Sequence, residues 1–573
     1  MVSCLASLWV AAALGQAPDQ SAWLKSIPAD VAVVARVKAL ETVRDDILKM
    51  LDAMSSNAVA LARPQLEQGL AMMEAQGGKH SVQHPFYMLL SLPKDGPMPG
   101  WAVLVESENY EAVIKSVSKK DDFKSSPKDG LDTFDGSDGQ TWYAAKGKGF
   151  VAFGPDQVLV KAVANPKATL DEKISAEVKK EFLAGDVGVY VNVAAVQAQY
   201  GDQIDAAKQS FLGLLDNAGG QMDAKTLEMT KTLYGAMFDS VKSGDALAFS
   251  LDFTPLAFVV SGSATVKADS KAATSLATAK SGPADGLGKL PADGFMYSYM
   301  NPSPESFKAM ARLGTAFISG GGKSTTEMQK GQAMLAEAGG LELYQAMASG
   351  SGGMTGMAAL AFSTPKDPAK AVEATTITNS ALKGAEGMFK DVVVTPKVAT
   401  YKGFDLNELK ATYNLEKMTP ANAPGGVEAM KKLMGGDTMN VWYGTDGKSM
   451  LSVSGKTLDE AKAKIDAFLT GDDSLSKTPP YDSLRNMLPK NVSAAILVNA
   501  QGLVKMVSTS AGAMSGKALP IPADMPKETA LFGGSLTAST KGYQFTFAVP
   551  SNVGPVIEKG LIPMLQGLSG AIQ

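Results

Sequence analysis

A similar phrase opens four segments of the chain: IPADVAVVARV from Ile27, LAGDVGVYVNV from Leu183, LPADGFMYSYM from Leu290 and LPKNVSAAILV from Leu488. Repetition of this kind constrains a fold more than any isolated motif, because every copy must satisfy the same local packing problem. Each phrase reads as a turn followed by a strand. In the first, Val31, Val33, Ala35 and Val37 alternate with Ala32, Val34 and Arg36, and in the fourth Val492, Ala494, Ile496 and Val498 repeat the pattern. A period of two sets one row of each strand against a core.

The spacing then changes. Leu40, Val43, Ile47, Leu51 and Met54 recur in steps of three and four and predict a helix packed back over the sheet. Paired strands follow, clearest in ALAFSLDFTPLAFVVSGSATV from Ala246 and LFGGSLTASTKGYQFTFAV from Leu531, where Lys541-Gly542 supplies a hairpin turn. A second helix closes the unit: Asp367 and Pro368 read as cap and first helical residue, and Thr457 with Glu460 as a capping box. Each unit thus reads β-α-β-β-α.

The first and third units carry an additional hairpin, in which Trp142-Tyr143 with Gly147 matches Trp442-Tyr443 with Gly447 at identical spacing. The expected fold class is α+β: two homologous halves, each of two β-α-β-β-α-like units, with mixed or antiparallel sheets covered by helices. The expected boundaries are 18–282 for the first half (units 18–176 and 177–282) and 283–573 for the second (units 283–476 and 477–573). The Gly- and Pro-rich stretch from Lys280 marks the division, and a lesser linker starts at Thr470. Length agrees with several cores, since 573 residues exceed the roughly 100 to 200 of one domain.

Residues 1–17 read as a signal peptide. The apolar run from Val2 to Leu14 is too short to span a bilayer and suits an export signal, with cleavage after Gly15 or Ala17. No Lys or Arg precedes that run, so the terminal amine alone supplies the positive end. The chain is therefore expected to be exported, to the periplasm or outside the cell. Cys4, the single cysteine, leaves with the leader, so thiol chemistry, disulfides and Cys-ligated metals are not expected in the mature chain. No later stretch reaches the roughly 18 uninterrupted apolar residues of a membrane span. Lys+Arg 54 against Asp+Glu 58, with no long basic run, gives no footprint for nucleic acid.

The repeated L-P-A-D opening before a strand, the GFVAFGPD segment before a short helix, the leader and the length together resemble a family of large exported bacterial proteins made of domains without assigned function. The resemblance covers most of the mature chain and implies no activity or site residues.

The residues that could carry catalysis or bind a metal fall into few patterns. His80 and His84, the only histidines, lie in GGKHSVQHPF, where Gly77-Gly78 and Pro85 point to a loop and a third metal ligand is missing. No G-x-S-x-G elbow accompanies a serine. Gly320-Gly321-Gly322-Lys323-Ser324 ends like a phosphate-binding loop, but Phe317 stands where that loop requires glycine, and the residues leading in have helical spacing. Asp132, Asp135 and Asp138 lack the order of a calcium loop and suit hairpin turns. Neither cofactor nor metal is expected.

Two features remain as binding candidates. The 29 methionines, Met50 and Met54 among them, read first as core filler and second as an adaptable apolar groove. Trp142, Tyr143, Trp442 and Tyr443 are weak ligand-binding candidates, because neighbours on a strand face opposite ways and one of each pair can be exposed. The leading expectation is a non-catalytic cell-envelope protein that binds or scaffolds an envelope protein. The alternatives are a carrier of apolar small molecules or lipids and a carboxylate-dependent hydrolase.

Overall fold

The structure is a computed structural model that describes residues 20–77, 80–92, 100–119, 123–136, 138–218, 224–308, 323–339, 342–348, 359–384, 388–419, 425–515, 521–564 and 566. The leader with Cys4, and the glycines of the 320–322 loop, lie outside the described residues.

The strands are β1 (Val33–Val37), β2 (Phe86–Leu90), β3 (Trp101–Glu106), β4 (Asp132–Asp135), β5 (Thr141–Lys146), β6 (Phe150–Gly154), β7 (Val187–Val191), β8 (Gly244–Phe253), β9 (Ala257–Val266) and β10 (Met296–Met300). They continue with β11 (Leu343–Met347), β12 (Leu360–Ser363), β13 (Phe389–Tyr401), β14 (Phe404–Tyr413), β15 (Thr438–Thr445), β16 (Met450–Ser454), β17 (Ala494–Asn499), β18 (Leu531–Ser539) and β19 (Gly542–Pro550). The helices used below are α1 (Leu40–Met54), α2 (Ser56–Gly77), α3 (Tyr110–Val117), α4 (Gln157–Ala164), α5 (Ala176–Leu183), α6 (Val193–Ala218), α7 (Ala224–Ser243), α8 (Lys323–Glu337), α9 (Pro368–Ala381), α10 (Leu458–Thr470), α11 (Pro479–Met487) and α12 (Ala500–Ser515).

All 19 strands join one open sheet. Across it the order is β4-β5-β6-β3-β2-β1-β7-β8-β9-β19-β18-β17-β10-β11-β12-β16-β15-β14-β13, and every pairing is antiparallel. This overturns the expected fold class. In place of two halves built from units with mixed or antiparallel sheets of their own, β9 pairs with β19 and fuses all strands into a single sheet. The β-α-β-β-α reading also fell short locally, since α2 and a helical turn separate α1 from β2, and three strands rather than two separate α3 from α4. Local periodicity identifies strands but carries no record of which distant strand each one pairs with.

The strand order is nearly palindromic about the β9–β19 pair. Outward from it run β8, β7, β1, β2 and β3 on one side, and β18, β17, β10, β11 and β12 on the other. Register therefore carries rows of side chains from one side to the other. One row runs Tyr87, Arg36, Gly188, Ser250, Ser261, Thr546, Ser535, Ala495, Tyr299 and Tyr344. It lies on the inner face, where α4 and α5 pack on one side and α10 and α11 on the other.

Arg36 sits in that row only 1% exposed. Burial pulls its guanidinium below its ordinary pKa, and neighbouring Tyr87 and Asp186 oppose the shift. Three carbonyls at the end of α5 accept from it: Phe182 O from Nε at 3.3 Å, and Ala184 O and Gly185 O from Nη2 at 2.6 and 2.8 Å. A cation therefore completes the unsatisfied C-terminal carbonyls of a helix and complements its dipole. Gly188 permits the approach, because a Cβ there would lie 1.9 Å from Phe182 O. Asp186 completes the corner: it accepts from Lys38 Nζ at 2.7 Å and from Phe253 N at 2.8 Å.

The sheet ends at β13. Its register with β14 breaks between Thr395 and Ala399, where Lys397 takes a left-handed φ of 49° and its N–H donates to Asn407 Oδ1 at 2.9 Å. Lys390, Asp391 and Lys397 are exposed along this strand.

Arg36→Met should leave the three carbonyls without a donor and destabilise the chain by about 3 kcal/mol, at 1–3 kcal/mol for each buried polar group orphaned. Urea unfolding followed by far-UV circular dichroism checks this, and an unchanged midpoint refutes the role given to Arg36.

Candidate ligand-binding face

The face opposite Arg36 differs along its length. At one end α3 covers it, with Tyr110, Val113, Ile114 and Val117 packed on Val105, Trp142, Val151 and Phe153. At the other, Ala371 of α9 and Ala338 join Val392, Leu409, Val441 and Tyr443 in a second buried cluster. Between these covers, ten consecutive strands from β2 to β11 present outward side chains that are half-buried or exposed.

Register shows how apolar this stretch is. One row reads Met88, Ala35, Val189, Phe249, Gly262, Phe545, Leu536, Ala494, Met300 and Leu343. The next reads Phe86, Val37, Val187, Leu251, Val260, Phe547, Gly534 and Ile496, and ends on the polar pair Ser298 and Gln345. Ser298 Oγ donates to Gln345 Oε1 at 3.3 Å. Asp245, at the irregular start of β8, is the one charged residue at an outward position of these ten strands. Ile496 is 50% exposed, Phe547 39%, Met88 38% and Leu536 37%. At about 4.8 Å between strands and 3.3 Å per residue, the stretch spans roughly 43 Å by 16 Å. Contiguous apolar surface on this scale marks an interaction site rather than chance exposure.

Local sequence builds this face. β-Branched and aromatic residues at period two fill both sides of the strands, and the helices pack on the inner side. At the seam, the Phe545 ring lies across Gly262, where a Cβ would come within 2.4 Å of Phe545 Cε1. Met88, Met296, Met300 and Met347 all point outward here, so part of the methionine content lies on an open surface. Met50 is buried, and Met54 packs where Gly554 leaves no room for a Cβ.

The four aromatic candidates do not converge. Trp142 and Tyr143 lie on opposite faces of β5, with Trp142 buried under α3 and Tyr143 packed against the inner core. Trp442 and Tyr443 lie on opposite faces of β15 and are both buried, and the Tyr443 hydroxyl is 3.0 Å from Thr376 Oγ1 of α9. An exposed member of the second pair is not found, because helices cover both faces of the sheet at its ends.

The other sequence candidates resolve individually. His80 begins a helical turn, His80–Gln83, in place of the expected loop, and His84 is half-buried after it. Asp138 fulfils the expected turn chemistry by accepting from Gln140 N at 2.9 Å. Asp132 does not: it is 3% exposed in β4 and accepts from Tyr110 Oη at 2.8 Å, Ser125 Oγ at 2.7 Å and Ser126 N at 2.6 Å. Burial first, and that bond second, push the Tyr110 hydroxyl well above its ordinary pKa. Among the described residues, no three His, Cys, Asp or Glu side chains are grouped as a metal site would require, and no helix is long and apolar enough to cross a membrane.

A separate cleft of about 630 Å³ lies beside α4 and the start of α6. Ser91 Oγ donates to Asp156 Oδ2 at 3.0 Å, and Asp156 Oδ1 caps α4 by accepting from Leu159 N at 3.0 Å. Among the described residues that line the cleft there is no histidine to serve the Ser91–Asp156 pair as the base of a serine nucleophile.

Gly262→Val should displace the Phe545 ring and destabilise the seam by about 1–3 kcal/mol, the usual cost of overpacking. Thermal unfolding checks it, and an unshifted midpoint would mean that the ring does not depend on the glycine.

Comparison with known proteins adds no relative: no family model, curated protein or solved structure matches the chain.

Proposed function

We propose that this chain is an exported, non-catalytic carrier of apolar small molecules or lipids, which it binds on the uncharged outer face between β2 and β11. One observation carries this reading. Across ten strands, that face offers a ligand almost no charge and almost no free hydrogen-bonding group. A protein partner ordinarily forms about one hydrogen bond per 100–200 Å² of interface, which favours a hydrocarbon ligand over the scaffolding alternative. Magnitudes agree, since burying each methylene contributes about 0.8 kcal/mol. A dozen methylenes contribute about 10 kcal/mol, which exceeds a low estimate of about 4 kcal/mol for the cost of association and leaves about 6 kcal/mol, equivalent to a dissociation constant of tens of micromolar.

Native mass spectrometry of the purified mature chain should show a mass excess that organic extraction removes. The dye N-phenyl-1-naphthylamine should fluoresce on binding and be displaced by long-chain fatty acid. Leu251→Asp places a carboxylate in the apolar row and should weaken dye binding about tenfold, equivalent to about 1.4 kcal/mol. A chain that carries no extractable mass and leaves the dye dark overturns the reading.

A further inference from the structure

The outer face is not uniform, and its relief locates the ligand. Three successive rows cross β2, β1, β7 and β8, and each runs large, small, small, large. They are Leu90, Val33, Val191 and Leu247; Met88, Ala35, Val189 and Phe249; and Phe86, Val37, Val187 and Leu251. Short side chains thus floor the two middle strands while longer ones rise on either side, and the result is a trough along β1 and β7. Beyond the seam the equivalent rows lack this relief. Ile496 stands proud on β17, Met300 and Met296 on β10, and Ser298 with Gln345 interrupts the apolar surface.

The trough has the dimensions of one hydrocarbon chain. Five residues of strand extend about 17 Å, and the floor is two strands, or about 5 Å from axis to axis, wide. A bilayer core of about 30 Å holds two leaflets, so one lipid chain reaches about 15 Å. Its six floor residues, Val33, Ala35, Val37, Val187, Val189 and Val191, are half-buried, and none belongs to a core cluster. β1 and β7 are antiparallel, so α1 and α6, which follow them, begin at opposite ends of the trough.

We infer that the β1–β7 trough is the binding subsite and that its occupant is a single acyl chain of a long-chain fatty acid, lying along the strands. The inference rests on the carrier reading and sharpens it to one place and one ligand. A chain along the floor touches methyl groups on both sides and asks for no hydrogen bond. One chain seated on this floor lies between Met88 on one side and Phe249 on the other.

The test is dye displacement by saturated fatty acids of increasing length, with the full mature chain and two sets of variants. Affinity should rise with each methylene and stop rising once the chain outgrows the trough. Ala35→Phe fills the floor and should weaken palmitic acid binding at least tenfold, as should Val189→Phe, which blocks the same place from the other strand. Val393→Ser, on β13 at the far edge of the sheet and outside the binding face, should leave binding unchanged. Thermal unfolding of each variant identifies any that fail to fold, and either floor variant alone suffices. If both floor variants fold and still bind palmitic acid as the unaltered chain does, the trough assignment is overturned and the carrier reading survives. Preference for a diacyl phospholipid over palmitic acid overturns the single-chain occupant. A wild-type chain that binds no lipid at all sinks the carrier reading itself.

Discussion

Nine residues of β19 pair in register with nine of β9, and this contact makes one object of the molecule. Without it, β9 and β19 would each be an edge strand with a full row of unpaired N–H and C=O groups. With it, the pleat is continuous from β4 to β13, and every row of side chains has the same parity throughout. That continuity places Arg36 and Ser535 on one face and Met88 and Ile496 on the other, although they lie hundreds of residues apart in the chain. Helices then pack on the inner face, α3 and α9 close the outer face near its ends, and at one margin of its middle Phe532 and Val549 pack against Ala500 and Val504 of α12.

The two faces solve different problems. On the inner face, polar groups occupy the central rows: Ser250 and Ser261 hydroxyls lie 3.0 Å apart, and Ser261 donates to Glu181 Oε2 at 2.7 Å. Buried polar groups are tolerated there because partners are present. The outer face has no such partners and is apolar, which costs solvation while it is empty and favours whatever hydrocarbon covers it. Polar content is thus concentrated on the side where the helices are.

Much of the local structure was legible in the sequence. Asp367 caps α9 by accepting from Lys370 N, Thr457 caps α10 by accepting from Glu460 N, and Thr540-Lys541, one residue before the expected Lys541-Gly542, turns β18 into β19. Long-range structure was not. In the first repeat the alternation leaves open which row faces the core, and the row that contains an arginine, Ala32, Val34 and Arg36, is the buried one. The reason is the end of α5, whose carbonyls satisfy the guanidinium, and no periodicity in the strand reports a helix some 150 positions away. The outer face was hidden for the same reason, since its rows exist only after ten strands are set in register. Trp142 and Trp442 misled because helical cover at the sheet ends, which depends on tertiary packing, decides whether an aromatic is exposed.

The bulge in β13 has a consequence for the chain as a colloid. A long, flat terminal strand would accept the next molecule's terminal strand, and a sheet this wide would then grow without limit into fibres. Lys397 in its left-handed conformation, held by Asn407, interrupts the regular ladder of the last strand with a bulge. An apolar face can therefore stay open at the centre of the sheet while its bulged edge offers the next molecule no regular template.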